Sequence, residues 1–306
     1  MAQVAGPVRR VAVLLSSNAA AASHLVKALV GGLAELGWVE GRNLRLDLRY
    51  AEGDAARIRP LAAELLSEKP DVLVATTEPV AREAAALTKT VPIVFAIGFD
   101  PVGAGLVQSF TRPGGNVTGM SVLQYELIPK RLQLLKEAVP GLTRVAVIYR
   151  AGDANADRVL ESLAQPARTL GLAVIPGEVR VAGEFERAFE QLARQKAGGI
   201  VLLGDALFFQ HSARVANLAI KHRLAFGVGP VEYARAGALF SYGPDFAAIF
   251  RSSATLVDKI LKGARPADMP VEQANVYELV VNLKTARQLG ITLPRSFLLQ
   301  ATQTIE

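Results

Sequence analysis

The sequence predicts an α/β protein built as two doubly wound, parallel-sheet lobes. Short apolar runs of strand length alternate with stretches of helical spacing from residue 11 to residue 96. That alternation is the signature of a parallel sheet covered by helices. The cycle restarts after Gly119 with its own set of apolar strands, and it is not a close repeat of the first. The length of 306 residues is long for one core and suits two lobes of about 130 to 150 residues each.

In the first half, residues 11–15 are a β-branched, apolar strand. Residues 19–36 have helical spacing, with Leu25, Ala28, Leu29, Leu33 and Leu36 on one face. Gly37 supplies the helix-ending glycine. Residues 44–50 alternate apolar and charged, which suits a strand with one face partly exposed. A helix at 57–66 and a buried strand at 72–75 follow. Residues 79–87 form a helix with its proline in the first turn, where a missing N–H costs nothing. Residues 93–96 are again a strand.

In the second half, 128–138, 157–170, 185–195 and 209–222 read as helices. The strands between them are 144–148, 173–175, 199–203 and 225–227. Residues 233–243 add a strand and 244–262 a long helix. Pro266 and Pro270 mark a surface loop, 276–282 reads as one more strand, and a short helix and a tail of little periodicity end the chain.

Hydrophobic residues at 51% and charged residues at 20% give an ordinary globular composition. No apolar run approaches the roughly 18 residues of a membrane helix. The net charge of +6 reads as a basic surface without a specific partner. The 34 Lys and Arg are scattered and aromatics reach only 6%. A nucleic-acid surface would show a basic stripe with interleaved aromatics, so no nucleic-acid partner is expected. The absence of cysteine excludes disulfides, thiolate metal sites and cysteine nucleophiles. The residues ahead of the first strand lack the basic start, apolar stretch and cleavage site of a secretory signal. That fits a cytoplasmic protein or a mature form with an added Met1.

Enzyme signatures do not appear. There is no phosphate loop, no G-x-G-x-x-G after a strand and no G-x-S-x-G elbow. Gly103-Ala104-Gly105 reads as a helix entry. Of the three histidines, His24, His211 and His222, the last two share a predicted helix. They would sit about 16 Å apart along its axis, too far to share a metal. No metal, no cofactor and no catalysis are expected. Two acids that follow strands, Asp100 and Asp205, suit the role of counter-ion to a bound cation.

In open α/β sheets, ligands sit beyond the carboxyl ends of the strands. With two such lobes, the expected site is the cleft between them. This singles out the segments 16–18, 76–78, 98–100, 118–119, 149–155, 204–205 and 241–243, each polar or glycine-rich. Any one of them is also what an ordinary turn or cap needs.

Longer stretches carry a resemblance. They are 31–44 (GGLAELGWVEGRNL), 92–95 with 100–106 (PIVF and DPVGAGL), 112–119 (RPGGNVTG), 130–147 (KRLQLLKEAVPGLTRVAV), 238–245 (ALFSYGPD), 258–273 (DKILKGARPADMPVEQ) and 278–294 (ELVVNLKTARQLGITLP). In these the chain resembles the ABC-transporter substrate-binding family whose better-understood members bind tryptophan or tyrosine. The resemblance implies a type I periplasmic-binding fold with several crossovers between lobes. One lobe is expected from 1–121 plus 237–264, the other from 122–236 plus 265–306. It further implies export, free in the periplasm or anchored to the membrane, and so favours the mature-form reading of the N-terminus. A monomer that hands a small molecule, an aromatic or other amino acid, to a membrane permease is expected. A cytoplasmic ligand-sensing regulator of the same fold and a binder of an aromatic acid are the alternatives. A regulator would be expected to carry a helix-turn-helix ahead of the first strand, where only about eight residues stand.

Carried over by residue, the ligand-facing positions are Ser16, Ser17, Thr76, Thr77, Glu78, Asp100, Thr118, Asn155, Asp205, Tyr242 and Gly243. An amino acid's ammonium is expected on Asp205, with Ser16, Ser17 and the Thr76-Thr77 turn on its carboxylate. Glu78 departs from the family's small or hydroxyl residue before the proline. A helix N-terminus attracts anions, so Glu78 would compete there with a ligand carboxylate. Either it turns outward as a cap or the ligand presents a cation or hydroxyl to it.

Overall fold

Arg9–Leu15 (β1) opens the chain as a strand whose residues 11–15 are all buried, as its β-branched, apolar run requires. The computed structural model describes residues 8–122, 125–153, 155–274 and 276–306. After β1 come Ala19–Glu35 (α1), Leu44–Tyr50 (β2), Ile58–Ser67 (α2), Val72–Ala75 (β3), Glu78–Leu87 (α3), Ile93–Gly98 (β4) and Val117–Ser121 (β5). The chain then builds Ile128–Ala138 (α4), Arg144–Arg150 (β6), Ala156–Thr169 (α5), Ala173–Val179 (β7), Phe185–Arg194 (α6) and Gly199–Leu202 (β8). Next are Ala206–Gln210 (α7), Ser212–Lys221 (α8), Ala225–Val228 (β9), Val231–Ala236 (α9) and Phe240–Gly243 (β10). Phe246–Leu261 (α10) and Glu272–Gln273 (β11) follow, and Glu278–Asn282 (β12), Leu283–Leu289 (α11), Arg295–Leu298 (α12) and Gln303–Ile305 (β13) complete the chain.

The strands form two sheets. The first has the order β11-β5-β4-β3-β1-β2, with every pair parallel. The second has the order β13-β12-β10-β9-β8-β6-β7 and is parallel except where β10 meets β12. Each sheet belongs to one compact unit. The first unit draws on 1–123 and 246–274, the second on 124–245 and 275–306. The lobe limits expected from sequence shift in two places. Residues 237–245 go to the second unit because β10 pairs with β9 and β12. Residues 265–274 go to the first because β11 pairs with β5.

Strands buried on both faces explain the continuous apolar runs. In β6, Val145 and Val147 enter one core while Ala146 and Ile148 enter the other. In β8, Val201 points with the first pair and Ile200 and Leu202 with the second. In the first unit, α1 and α10 pack closely at Gly32. A Cβ there would lie 2.6 Å from the backbone oxygen of Arg251, so only glycine fits. The Trp38 indole N–H donates to Asp258 at 2.8 Å and fastens the end of α1 to α10.

Three sequence readings change. Residues 233–236 are helical, not strand. Pro230 stands at the helix N-cap and Gly237, at φ 117°, ends the helix before β10 begins. The single helix expected at 209–222 is broken at His211, whose ring packs edge-on against Phe185 at 5.8 Å. Residues 101–106 form turns, so Gly103-Ala104-Gly105 opens no helix.

Candidate functional site: two strand-end clusters

Each sheet has one place where the strand order reverses. In the first it lies between β1 and β3, and in the second between β6 and β8. Side strands there diverge to opposite directions, and the crevice left beyond their carboxyl ends is where doubly wound sheets take ligands.

At the first reversal, Ser16 follows β1 and Thr76 follows β3. The Ser16 N–H donates to Thr76 Oγ1 at 3.2 Å, and the Thr76 N–H donates back to the Leu14 carbonyl at 3.1 Å. Ser17 and Thr76 are buried, while Ser16 and Thr77 are half-buried. Asn18 caps α1 by accepting from the Ala21 N–H at 2.9 Å. Thr77 holds the N-cap position of α3 without a side-chain capping bond.

Glu78 is the first residue of α3 and is buried. It does not turn outward. Its Oε2 accepts from the backbone N–H groups of Phe99 at 3.0 Å and Asp100 at 2.8 Å, just beyond β4. Asp100 serves the turn that follows: its Oδ1 accepts from the Gly103 N–H at 2.9 Å.

Thr118 lies elsewhere. It pairs with Val94 well inside the sheet, is fully buried, and donates its hydroxyl to the Met269 carbonyl at 2.8 Å. It therefore locks the 266–270 segment onto β5 and does not reach the strand ends. At the carboxyl end of β5, Ser121 donates to the Gly98 carbonyl at 3.1 Å.

At the second reversal, Arg150 ends β6 and Asp205 follows β8. Arg150 donates to Asp205 Oδ1 at 3.3 Å, and the same oxygen accepts from the Leu207 N–H at 2.7 Å, capping α7. Burial pushes the Asp205 carboxyl above its ordinary value, against the opposing pull of Leu207 and Arg150. Asn155 donates from Nδ2 to the Tyr125 hydroxyl at 3.1 Å and accepts from Arg158 at 3.0 Å. The Arg158 guanidinium lies 5.7 Å from the centre of the Tyr125 ring.

Tyr242 and Gly243 end β10. The Tyr242 ring lies 6.4 Å from that of Tyr277, and its carbonyl accepts from Arg131 Nε at 2.9 Å. Arg131 is fully buried, and burial pulls its guanidinium down to about 9. Gly243 has a backbone reason to be glycine, since a Cβ would come within 2.6 Å of the Gly229 carbonyl oxygen.

The structure thus joins Ser16 to Thr76 and Glu78 to Asp100 in one unit. In the other it joins Asp205 to Arg150 and Asn155 to Tyr125. Arg150, Arg131, Tyr125 and Tyr277 were missed by sequence reasoning. Arg150 could have been found, because it sits inside the singled-out 149–155 segment. The clusters offer hydroxyls, the carboxylates of Glu78, Asp100 and Asp205 and the Arg150 guanidinium, which is recognition chemistry for a small polar or zwitterionic molecule. Among the described residues no group of His, Asp and Glu is arranged to hold a metal ion. No described helix is long and apolar enough to cross a membrane.

The sequence profile of the family described as ABC transporter substrate binding protein matches residues 10–305. A tyrosine-binding protein of Clostridioides difficile is 28% identical over 265 residues, covering 87% of this chain and 76% of its own length. A conserved domain protein of Vibrio cholerae has 33% identity and a TM-score of 0.90, covering 97% of this chain and 99% of its own. The ABC domain from Streptococcus pneumonia in complex with L-Trp has 27% identity and a TM-score of 0.86, with the same coverage of 97% and 99%.

Proposed function

This chain belongs to the ABC transporter substrate binding protein family, and from that premise we propose that it binds an aromatic amino acid outside the cytoplasm and delivers it to the permease of an ABC importer. The family is one of binding proteins, not enzymes. The ligand class is supported by two relatives, one named for tyrosine binding and one holding L-Trp.

The observation that carries the reading is the coincidence of polar pairs with strand-order reversals. Ser16–Thr76 falls at one and Arg150–Asp205 at the other. In this proposal the ligand is held at the strand ends beside these pairs. Arg150 receives the carboxylate, as a guanidinium fork suits it. Asp205 accepts from the ammonium, because a charge taken out of water needs a partner.

The test is native mass spectrometry of the protein purified from its own source, followed by calorimetry with aromatic and branched amino acids. A bound mass equal to an aromatic amino acid, displaced by the same compound, is expected. A bound aromatic acid without an amino group would overturn the amino-acid reading, and chemical conversion of the bound compound would overturn the transport reading.

A further inference from the structure

Glu78 does something that neither an outward cap nor an ordinary first-turn acid does. It is 8% exposed, and one carboxylate oxygen takes two consecutive backbone N–H groups, those of Phe99 and Asp100. Two adjacent N–H groups aimed at one point at a strand end form a seat for an anion. Here the chain fills that seat with its own side chain. The second oxygen, Oε1, receives no hydrogen bond among the described residues. Oε1 keeps contact with solvent, so it stands as an open acceptor that an arriving donor can reach. Thr76 Oγ1 accepts from the Ser16 N–H, and neither Thr76 nor Thr77 donates to Oε1.

We propose that Glu78 is a specificity-determining residue: it closes the Phe99–Asp100 seat to ligand carboxylates and presents Oε1 to a donor or cationic group of the ligand. This rests on the strand-end binding reading above and deepens it. The ligand then turns a donor or cationic group, not its carboxylate, toward α3. That reverses the polarity expected from sequence, where the serines and the Thr76-Thr77 turn were to hold the carboxylate.

The experiment compares three probes in calorimetry: L-tyrosine, tyramine, which lacks the carboxylate, and 3-(4-hydroxyphenyl)propionate, which lacks the ammonium. The variant is Glu78→Gln. Its amide oxygen can keep both backbone bonds, while its NH2 group turns the ligand-facing atom from acceptor to donor. The wild type is expected to bind tyramine on the order of tenfold or more tighter than the propionate, the scale of one charge-assisted hydrogen bond. In Glu78→Gln that preference is expected to disappear or invert. A merely structural glutamate would leave the ratio of the two affinities unchanged, and that result would overturn the proposal.

A second readout does not depend on the aromatic ring. In Glu78→Ala the backbone amide resonances of Phe99 and Asp100 are expected to shift saturably with acetate, and not to do so in the wild type. Amides that ignore acetate in the variant overturn the seat, whatever the ring compounds do. If all three ring compounds fail to bind and the acetate response is present, the seat stands and the aromatic ligand class fails.

Discussion

Arg150 and Asp205 meet at 3.3 Å although 55 residues separate them, one closing β6 and the other following β8. Asp205 also caps α7 through Leu207. Its single Oδ1 oxygen therefore serves the fold, and the proposed ligand contact shares a carboxylate that the fold already uses.

Asp205→Ala is expected to weaken binding of L-tyrosine or L-tryptophan by roughly ten- to a hundredfold, less than a fully buried ion pair would give because the side chain is 27% exposed. The lost cap should lower stability by about 1 kcal/mol. Calorimetry and thermal unfolding read the two effects separately. Burial raises the Asp205 carboxyl above 3.8, so its anionic form is lost at a higher pH than that of an ordinary aspartate. Affinity for an ammonium should then start to fall above pH 3.8 on acidification, and Asp205→Asn should remove this part of the pH dependence. Stability runs the other way. A raised folded value means this group favours the fold most below pH 3.8, and that contribution fades as pH rises through the folded value.

Asp100→Ala should behave in reverse. Its carboxylate accepts from the Gly103 N–H, a turn-capping bond whose loss is expected to lower stability by about 1 kcal/mol. Affinity for the same amino acids should stay within about twofold. A large affinity loss without a change in unfolding would place Asp100 on the ligand instead.

Arg131→Lys tests the buried guanidinium. Arg131 is fully buried and its Nε donates to the carbonyl of Tyr242. A lysine keeps a charge but loses the planar fork, so it leaves a desolvated ammonium with poorer geometry. We expect a loss of about 3 kcal/mol or more in urea unfolding at neutral pH. A variant as stable as the wild type would show that the fork is not needed there.

The central strands β1, β3, β4, β8 and β9 were legible because they are buried on both faces and so read as continuous apolar runs. What escaped was set by distant partners. β5 contains Gly119, a poor strand residue, yet glycine is needed because a Cβ would lie 2.5 Å from the Phe95 ring. The short 233–236 segment does not reveal whether it is strand or helix until Gly237 takes its left-handed φ. For the candidate site, polar strand ends could be read from the sequence, but side-chain commitments could not. Thr118 looked like its neighbours until Met269, 151 residues away, was seen to take its hydroxyl. Glu78 found its partners 21 and 22 residues on, in the backbone of Phe99 and Asp100, where side-chain identity gives no signal.

The most direct measurement is a calorimetric titration of the purified chain, freed of bound ligand by unfolding and refolding, with L-tryptophan and L-tyrosine. Saturable one-to-one binding of at least one of them is expected, with a negative heat-capacity change as the aromatic ring leaves water. Absence of saturable binding for both, alongside tight binding of a non-aromatic molecule, would overturn the assignment of an aromatic amino acid as ligand.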